Sequence, residues 1–245
     1  MWKCIAGWIS HQVRDQRNSW VSATGLPFAK LMHKDHVQRV LDEEGVSDRA
    51  SVYTPLVTLW TFLSQVLSVD HSCRDAVARL RAFLAADGQP PCAPDTGPYC
   101  KARQRLPERV CARLARDVGS ELHGKIRDGS VLGRRPVKLV DGSTVSMPDT
   151  AENQAEYPQP SSQQPGLGFP LARIVGLLSL ASGAVLALAI GPYAGKETGE
   201  TALFRQLWNS LFPGDVAVGD RYFASFWDLA LLALRGVDGV YRQHQ

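Results

Sequence analysis

The sequence is poor in cysteine, and its cysteines are not arranged in pairs. Five of them are spread over 245 residues, and no two form a C-x-x-C motif. An odd, unpaired set argues against a disulfide framework and against a structural zinc site, because both need grouped cysteines. The six histidines are also scattered, and even His33 and His36 lack a matching cysteine pair. We therefore expect reduced thiols and ordinary surface histidines.

The sequence also lacks a secretory signal. The apolar stretch in its first ten residues is short and has no small-residue cleavage site. Residues 174–191 are uncharged and mostly apolar, so that by length alone they fit a transmembrane helix. However, Arg173 precedes them, Ser182 and Gly183 provide a turn in their middle, and no second such segment follows. We interpret them as a buried β-hairpin and expect a cytoplasmic protein without a membrane partner.

Positive charge is concentrated in the first half of the chain. Residues 1–135 hold 20 Lys and Arg against 14 Asp and Glu, whereas residues 136–245 hold 7 against 10. A basic segment followed by an acidic one suits a protein that binds a polyanion with one part and acts on it through a metal with the other. Surface solubility is the alternative explanation.

Helical patterns dominate residues 1–130, and strand patterns follow. Capping residues and apolar periodicity predict four helices, which cover residues 35–44, a stretch from Thr54 and Pro55, residues 72–86 and residues 107–123. A loop with four prolines, residues 87–98, separates the helix at 72–86 from the helix at 107–123. The polar, glycine-containing linker at 124–135 marks the domain boundary. We predict a helical region over residues 1–130 and a mixed sheet with flanking helices over residues 131–245, an α+β or mixed α/β chain.

The second half predicts the order strand, strand, strand, helix, strand, helix, strand. The first strand ends near Asp141, and a long loop, residues 148–170, leads to the hairpin at 174–191. A helix at 198–211, a strand at 216–220, a helix at 225–235 and a last strand at 239–243 follow.

Two of these strands end on an aspartate. Asp141 follows an apolar run and precedes Gly142, which we expect to reverse the chain, and Asp220 follows a second run. A right-handed crossover can place the two strands side by side and parallel, about 4.8 Å apart. Their carboxylates would then share Mg²⁺ or Mn²⁺, since hard cations take oxygen ligands. Turn chemistry or a surface ion pair is the alternative explanation for either aspartate alone.

Basic residues form a stripe along the helix predicted at 107–123 and in the segment just before it. Its arginines lie on a different face from its apolar residues, and further cations come just before it. The set consists of Lys101, Arg103, Arg105, Arg109, Arg113 and Arg116. The stripe can follow a phosphate backbone, and a solvated charged face explains it equally well.

The L-V-D-G-S-T stretch around Asp141, the G-D-R-Y-F stretch around Asp220 and the order of elements resemble one known family. They resemble the ribonuclease-H-like core of DDE-type bacterial insertion-sequence transposases, in particular the group named after insertion sequence four. Residues 99–107 resemble that group's helical N-terminal region. The resemblance implies DNA transposition, with Asp141 and Asp220 as two ligands of a Mg²⁺ or Mn²⁺ pair. It implies element-end DNA as a partner, and a second copy or a full-length transposase as a further one.

The chain departs from this family in two ways. Tyr222 stands where family members commonly have glycine, a mild change. The third metal ligand of the family is a Glu on a helix after the last strand, and this chain has no Glu beyond Glu200. The resemblance therefore implies a truncated core that is inactive alone and exposes apolar residues such as Leu231, Leu234 and Val240. A non-catalytic DNA-binding or interaction protein and an unrelated metal-dependent nuclease remain as alternatives.

Overall fold

The computed structural model describes residues 31–47, 51–86, 88–125, 132, 135–164 and 166–242. It divides into two compact units, residues 1–114 and 115–245, which we call the helical unit and the sheet unit. The division falls within one long helix. Most of the linker at 124–135, where we predicted the domain boundary, lies outside the described residues. That boundary therefore stays a prediction.

The described part of the helical unit is built from helices whose starts follow from local capping. Thr54 accepts a hydrogen bond from the Val57 N–H at 3.3 Å, and Ser72 accepts one from the Asp75 N–H at 3.1 Å. Both predicted caps are confirmed, because a side-chain oxygen here satisfies an N–H that has no partner within the helix. The helices are α1 Lys34–Glu43, α2 Pro55–Leu67, α3 Cys73–Ala86, α4 Gly97–Arg105 and α5 Glu108–Gly124, which continues into the sheet unit.

Helix α4 begins inside the predicted loop at 87–98. Gly97 and Pro98 are its first two residues, and proline is compatible with a first helical turn because its missing N–H would have no intrahelical partner there. The helix is held by Tyr99, which is fully buried against Tyr53. The Tyr99 hydroxyl donates to Oε1 of Gln65, on α2, at 2.7 Å. Tertiary packing thus fixes a helix that composition alone did not indicate.

The sheet unit contains one five-stranded mixed sheet in the order β3-β2-β1-β4-β5. The first three strands are antiparallel neighbours, whereas β4 is parallel to β1 and β5 is parallel to β4. The predicted order of the strands and of the two later helices is confirmed, as is the mixed α/β class, but one further short helix lies between the first two strands. The elements are β1 Val137–Ser146, α6 Ala151–Glu156, β2 Leu171–Ser179, β3 Val185–Pro192, α7 Glu200–Gln206, β4 Val216–Gly219, α8 Phe226–Leu234 and β5 Asp238–Tyr241, with 3₁₀ turns at Trp208–Ser210 and Arg221–Phe223.

The hairpin prediction for residues 174–191 is confirmed, because β2 and β3 pair with each other as antiparallel neighbours. Among the residues that the structure describes, no helix is long and apolar enough to span a bilayer.

Three other elements differ from their predicted extents. The loop at 148–170 contains α6, because Thr150 caps it by accepting from the Asn153 N–H at 3.2 Å. The helix predicted over 198–211 is divided into α7 and a 3₁₀ turn. The last strand ends at Tyr241, and residue 243, its predicted end, lies outside the described residues.

The core of the sheet unit lies between the sheet and the helices α7 and α8. It is formed by alternate residues of the strands and by the predicted apolar face of the 198–211 segment, all buried: Val140, Val175, Leu177, Ala187, Ala189, Leu203, Phe204, Leu207, Trp208, Leu211, Ala217 and Leu232 among them. Leu231, Leu234 and Val240 are 46%, 84% and 51% exposed. Their predicted exposure is confirmed.

A lysine is enclosed in this unit beside the core. Lys138 is 2% exposed, and its Nζ lies 2.6 Å from Oδ2 of Asp215. The same Nζ donates to the Ser210 carbonyl at 2.8 Å. Nearby, Nδ1 of His123 on α5 lies 2.9 Å from the Ser179 hydroxyl. Burial lowers the pKa of His123, and the positive charge of Lys138 lowers it further.

Candidate functional site

Asp141 lies in the middle of β1 and not at its end. We expected Gly142 to reverse the chain, and this prediction is wrong because β2 continues to pair with β1 as far as Ser146. The pairing of β1 with β4 is shorter and ends at Leu139. Asp141 therefore lies just beyond the parallel pair, opposite Gly176 of β2, and its side chain is exposed.

Asp220 directly follows β4 and has an extended backbone, with φ −78° and ψ −176°. The register pairs Val137 with Val216 and Leu139 with Val218. Two further residues along each strand bring Asp220 level with Asp141, at the strand spacing of about 4.8 Å. Alternation of side chains puts both on the same side of the sheet. The prediction that the two strands leading to Asp141 and Asp220 are adjacent and parallel is thus confirmed. The distance between the two carboxylates stays a prediction.

Each carboxylate is oriented by one backbone N–H group. Oδ1 of Asp141 accepts from the Gly142 N–H at 2.9 Å, and Oδ1 of Asp220 accepts from the Tyr222 N–H at 2.8 Å. Within the described ranges, neither aspartate forms an ion pair. Both are exposed, so each keeps a second oxygen for a ligand. Exposed, unpaired carboxylate oxygens fit a hard divalent cation.

Gly142 has a role that the sequence did not reveal. An ideal Cβ placed on it would lie 2.6 Å from Cδ of Glu200, the first residue of α7. A larger residue at this place on β1 would require the flexible end of the Glu200 side chain to move aside. Neighbouring residues of a strand point to opposite faces. Glu200 lies on the face to which Gly142 points, and therefore on the face of β1 opposite Asp141. In the part of the chain that the structure describes, no three His, Cys, Asp or Glu side chains are grouped so that they could hold a metal ion.

Two other acidic residues of the sheet unit have structural partners. Asp228 is fully buried and accepts hydrogen bonds from Nε and Nη2 of Arg205 at 2.8 and 3.1 Å. Asp238 is paired with Arg135. Their carboxylates stabilise the fold and are not grouped with Asp141 and Asp220.

The basic stripe is divided by its contacts. Arg103 donates from Nη1 to Oε1 of Gln65 at 2.9 Å and lies over the Phe62 and Tyr99 rings. Its role in the helical unit is therefore structural.

Arg109 and Arg113 are both held by α1 and the residue after it. Nε of Arg109 lies 2.8 Å from Oε2 of Glu44, and Nη2 of Arg113 lies 2.5 Å from Oε2 of Glu43. These ion pairs offset much of the positive charge that the sequence predicted for this face.

Lys101 and Arg105 differ from the rest of the stripe in the helical unit. Both are exposed on α4, and the described residues offer neither of them an ion-pair or hydrogen-bond partner. They line a cleft of about 340 Å³ together with Ser51, Asp95, Gly97 and Pro98. Arg116, on the part of α5 within the sheet unit, is also exposed. Lys101 and Arg105 are therefore the best-placed cations of the helical unit for an anionic partner.

No model of a known protein family matches the chain, and no curated protein matches it.

Proposed function

We propose that the chain is a DNA-binding protein of the DDE transposase type, whose sheet unit is a ribonuclease-H-like core that carries two of the three carboxylates used for metal-dependent cleavage and strand transfer, and is inactive alone. The observation that carries the proposal is the parallel pairing of β1 with β4, which ends at Leu139 and Val218, two residues before Asp141 and Asp220 respectively. The order of strands and helices in the sheet unit supports it, since the resemblance to these transposases depends on the same order.

The two aspartates would hold Mg²⁺ or Mn²⁺ at the open side of β1 and β4. When bound, such ions supply a nucleophilic water or 3′-hydroxyl and stabilise the leaving oxygen of a phosphodiester. Asp141 and Asp220 supply oxygen ligands and negative charge. The N–H groups of Gly142 and Tyr222 hold one oxygen of each carboxylate, which limits rotation of the side chains and pre-orients them.

A second candidate function is DNA binding without catalysis. Two observations favour it: among the described residues no three His, Cys, Asp or Glu side chains are grouped so that they could hold a metal ion, and Lys101 and Arg105 are exposed on α4. Such a protein would bind element ends, or a full-length transposase, without cleaving DNA.

We expect strand cleavage by the 245-residue chain to be at background level. Two-metal chemistry requires both ions to be fixed about the scissile phosphate, and two carboxylates anchor one ion only. Nicking of supercoiled plasmid with Mg²⁺ or Mn²⁺ measures this, with Asp141→Ala as the control. Nicking by the unmodified chain that disappears in the control would contradict the expectation.

The DNA affinity of the chain should depend on Lys101 and Arg105 more than on Arg109 and Arg113. Each phosphate contact releases counterions, so the double variant Lys101→Ala, Arg105→Ala should flatten the slope of log K against log salt by about 1.8. The matched double variant Arg109→Ala, Arg113→Ala removes arginines already paired with Glu44 and Glu43, and should change the slope much less.

Fluorescence anisotropy with labelled duplex DNA across a salt series measures both slopes. A wild-type slope in both double variants would show that none of the four residues contacts phosphate. An equal change in both would show that the ion pairs with α1 open when DNA binds.

A further inference from the structure

Two cysteines of the helical unit lie side by side. Cys73 is the first residue of α3, and Cys100 lies on α4. Their Sγ atoms are 3.7 Å apart, with the Cys100 thiol donating to the Cys73 sulfur. A disulfide bond is about 2.05 Å long, so each sulfur needs to move by roughly 0.8 Å. Both side chains are partly exposed, so a small reagent can reach them.

The two sulfurs have different surroundings. The Cys73 sulfur accepts hydrogen bonds from Nε2 of Gln65 at 3.5 Å and from the Cys100 thiol. Burial raises the pKa of Cys100, and its contact with Cys73 raises it further. The attack on a disulfide is made by a thiolate, and we assign it to Cys73, whose sulfur accepts both hydrogen bonds.

We propose that Cys73 and Cys100 form a dithiol site that reacts with small-molecule disulfides, such as oxidised glutathione, to give a disulfide between α3 and α4. The Cys73 thiolate attacks one sulfur of oxidised glutathione, and the released thiolate takes the proton that Cys73 has lost. Cys100 then loses its proton to solvent and attacks the Cys73 sulfur, and the glutathione thiolate that this attack releases takes up a proton from solvent. Two protein thiols are oxidised, and one glutathione disulfide is reduced to two thiols. The proposal does not depend on DNA binding.

The new bond would close a loop across 27 residues, which includes the proline-containing segment between α3 and α4. A closed loop restricts the unfolded chain more than the folded one, so the oxidised protein should melt at a higher temperature. Cys92 lies within this loop, with its Sγ 3.7 Å from the Tyr53 hydroxyl. It provides a matched cysteine for control experiments.

The experiment treats the reduced full chain with oxidised glutathione, blocks free thiols, and maps tryptic peptides by mass spectrometry without reduction. Cys92 and Cys100 fall in the same tryptic peptide, residues 82–101, so the mapping uses the Cys92→Ser variant beside the unmodified chain. We expect the Cys73–Cys100 cross-link in both, and a melting temperature roughly 5 °C or more above that of the reduced protein.

The Cys100→Ser variant should stop at a mixed disulfide of Cys73 with glutathione, while circular dichroism of the reduced variants confirms that they fold. Persistent mixed disulfides without a cross-link in Cys92→Ser would overturn the proposal. So would a cross-link that forms in the unmodified chain and is absent in Cys92→Ser, or free thiols at both positions after treatment.

Discussion

Replacing Lys138 with methionine should destabilise the sheet unit by about 3–5 kcal/mol, because it leaves one member of a buried ion pair without the other. The side chains of Lys138 and Asp215 are 2% and 5% exposed. Methionine keeps most of the lysine volume, so the expected loss comes from charge and not from a cavity. Among the residues with described positions, the Asp215 carboxylate would keep only the Phe212 N–H, at 2.7 Å, as a donor. Urea unfolding followed by far-ultraviolet circular dichroism measures the loss.

Lys125 provides the matched control for this substitution. It forms an i,i+4 pair with Glu121, and the side chains are 59% and 48% exposed. Lys125→Met should therefore change the free energy of unfolding by less than about 0.5 kcal/mol. The double variant Lys138→Met, Asp215→Asn should recover part of the loss, since it leaves no buried charge and the amide oxygen still accepts from Phe212. Equal effects of Lys138→Met and Lys125→Met would show that the buried pair does not stabilise the unit.

Features that depend on neighbouring residues could be predicted from the sequence. The caps at Thr54, Ser72 and Ser225 follow from a side-chain oxygen placed three residues before an N–H group, and all three are present. The β2–β3 hairpin follows from a turn between two apolar runs. The pairing of β1 with β4 follows from the order of the elements and the handedness of crossovers.

Features that depend on distant residues could not be predicted. Arg109 and Arg113 form part of a basic stripe in the sequence, but their partners Glu44 and Glu43 are 65 and 70 residues away. Lys138 interrupts an apolar run, and nothing near it in the sequence indicates that Asp215 makes its burial possible. Glycine is a common turn residue, and the sequence therefore predicts that Gly142 reverses the chain. In the structure, the missing side chain of Gly142 leaves room for the side chain of Glu200 from α7. In each case the deciding contact joins elements far apart in the chain.

The Asp141→Asn variant should lose divalent-cation binding by at least about tenfold. Two carboxylates on neighbouring strands should bind one Mn²⁺ weakly, with a dissociation constant on the order of 0.1 to 1 mM, as expected for a site with few charged oxygen ligands. Asparagine keeps the size of the side chain and the oxygen that accepts from Gly142, but removes half of the negative charge of the pair. Asp220→Asn should have the same effect, because each variant leaves a single carboxylate. Electron paramagnetic resonance of free Mn²⁺ during a titration measures the affinity.

Asp149 offers the matched control, since it is also an exposed aspartate of the sheet unit and accepts a hydrogen bond from Gln154 at 2.8 Å. Asp149→Asn should bind Mn²⁺ as the unmodified chain does. If the losses of Mn²⁺ affinity caused by Asp141→Asn and Asp220→Asn added up in the double variant, Asp141 and Asp220 would bind separate ions. The shared site would then be refuted. Unchanged affinity in both would mean that the aspartates serve only their backbone contacts at Gly142 and Tyr222. Equal losses at Asp141 and Asp220 with none at Asp149 would place one ion between β1 and β4, because only a shared ion makes either carboxylate alone insufficient.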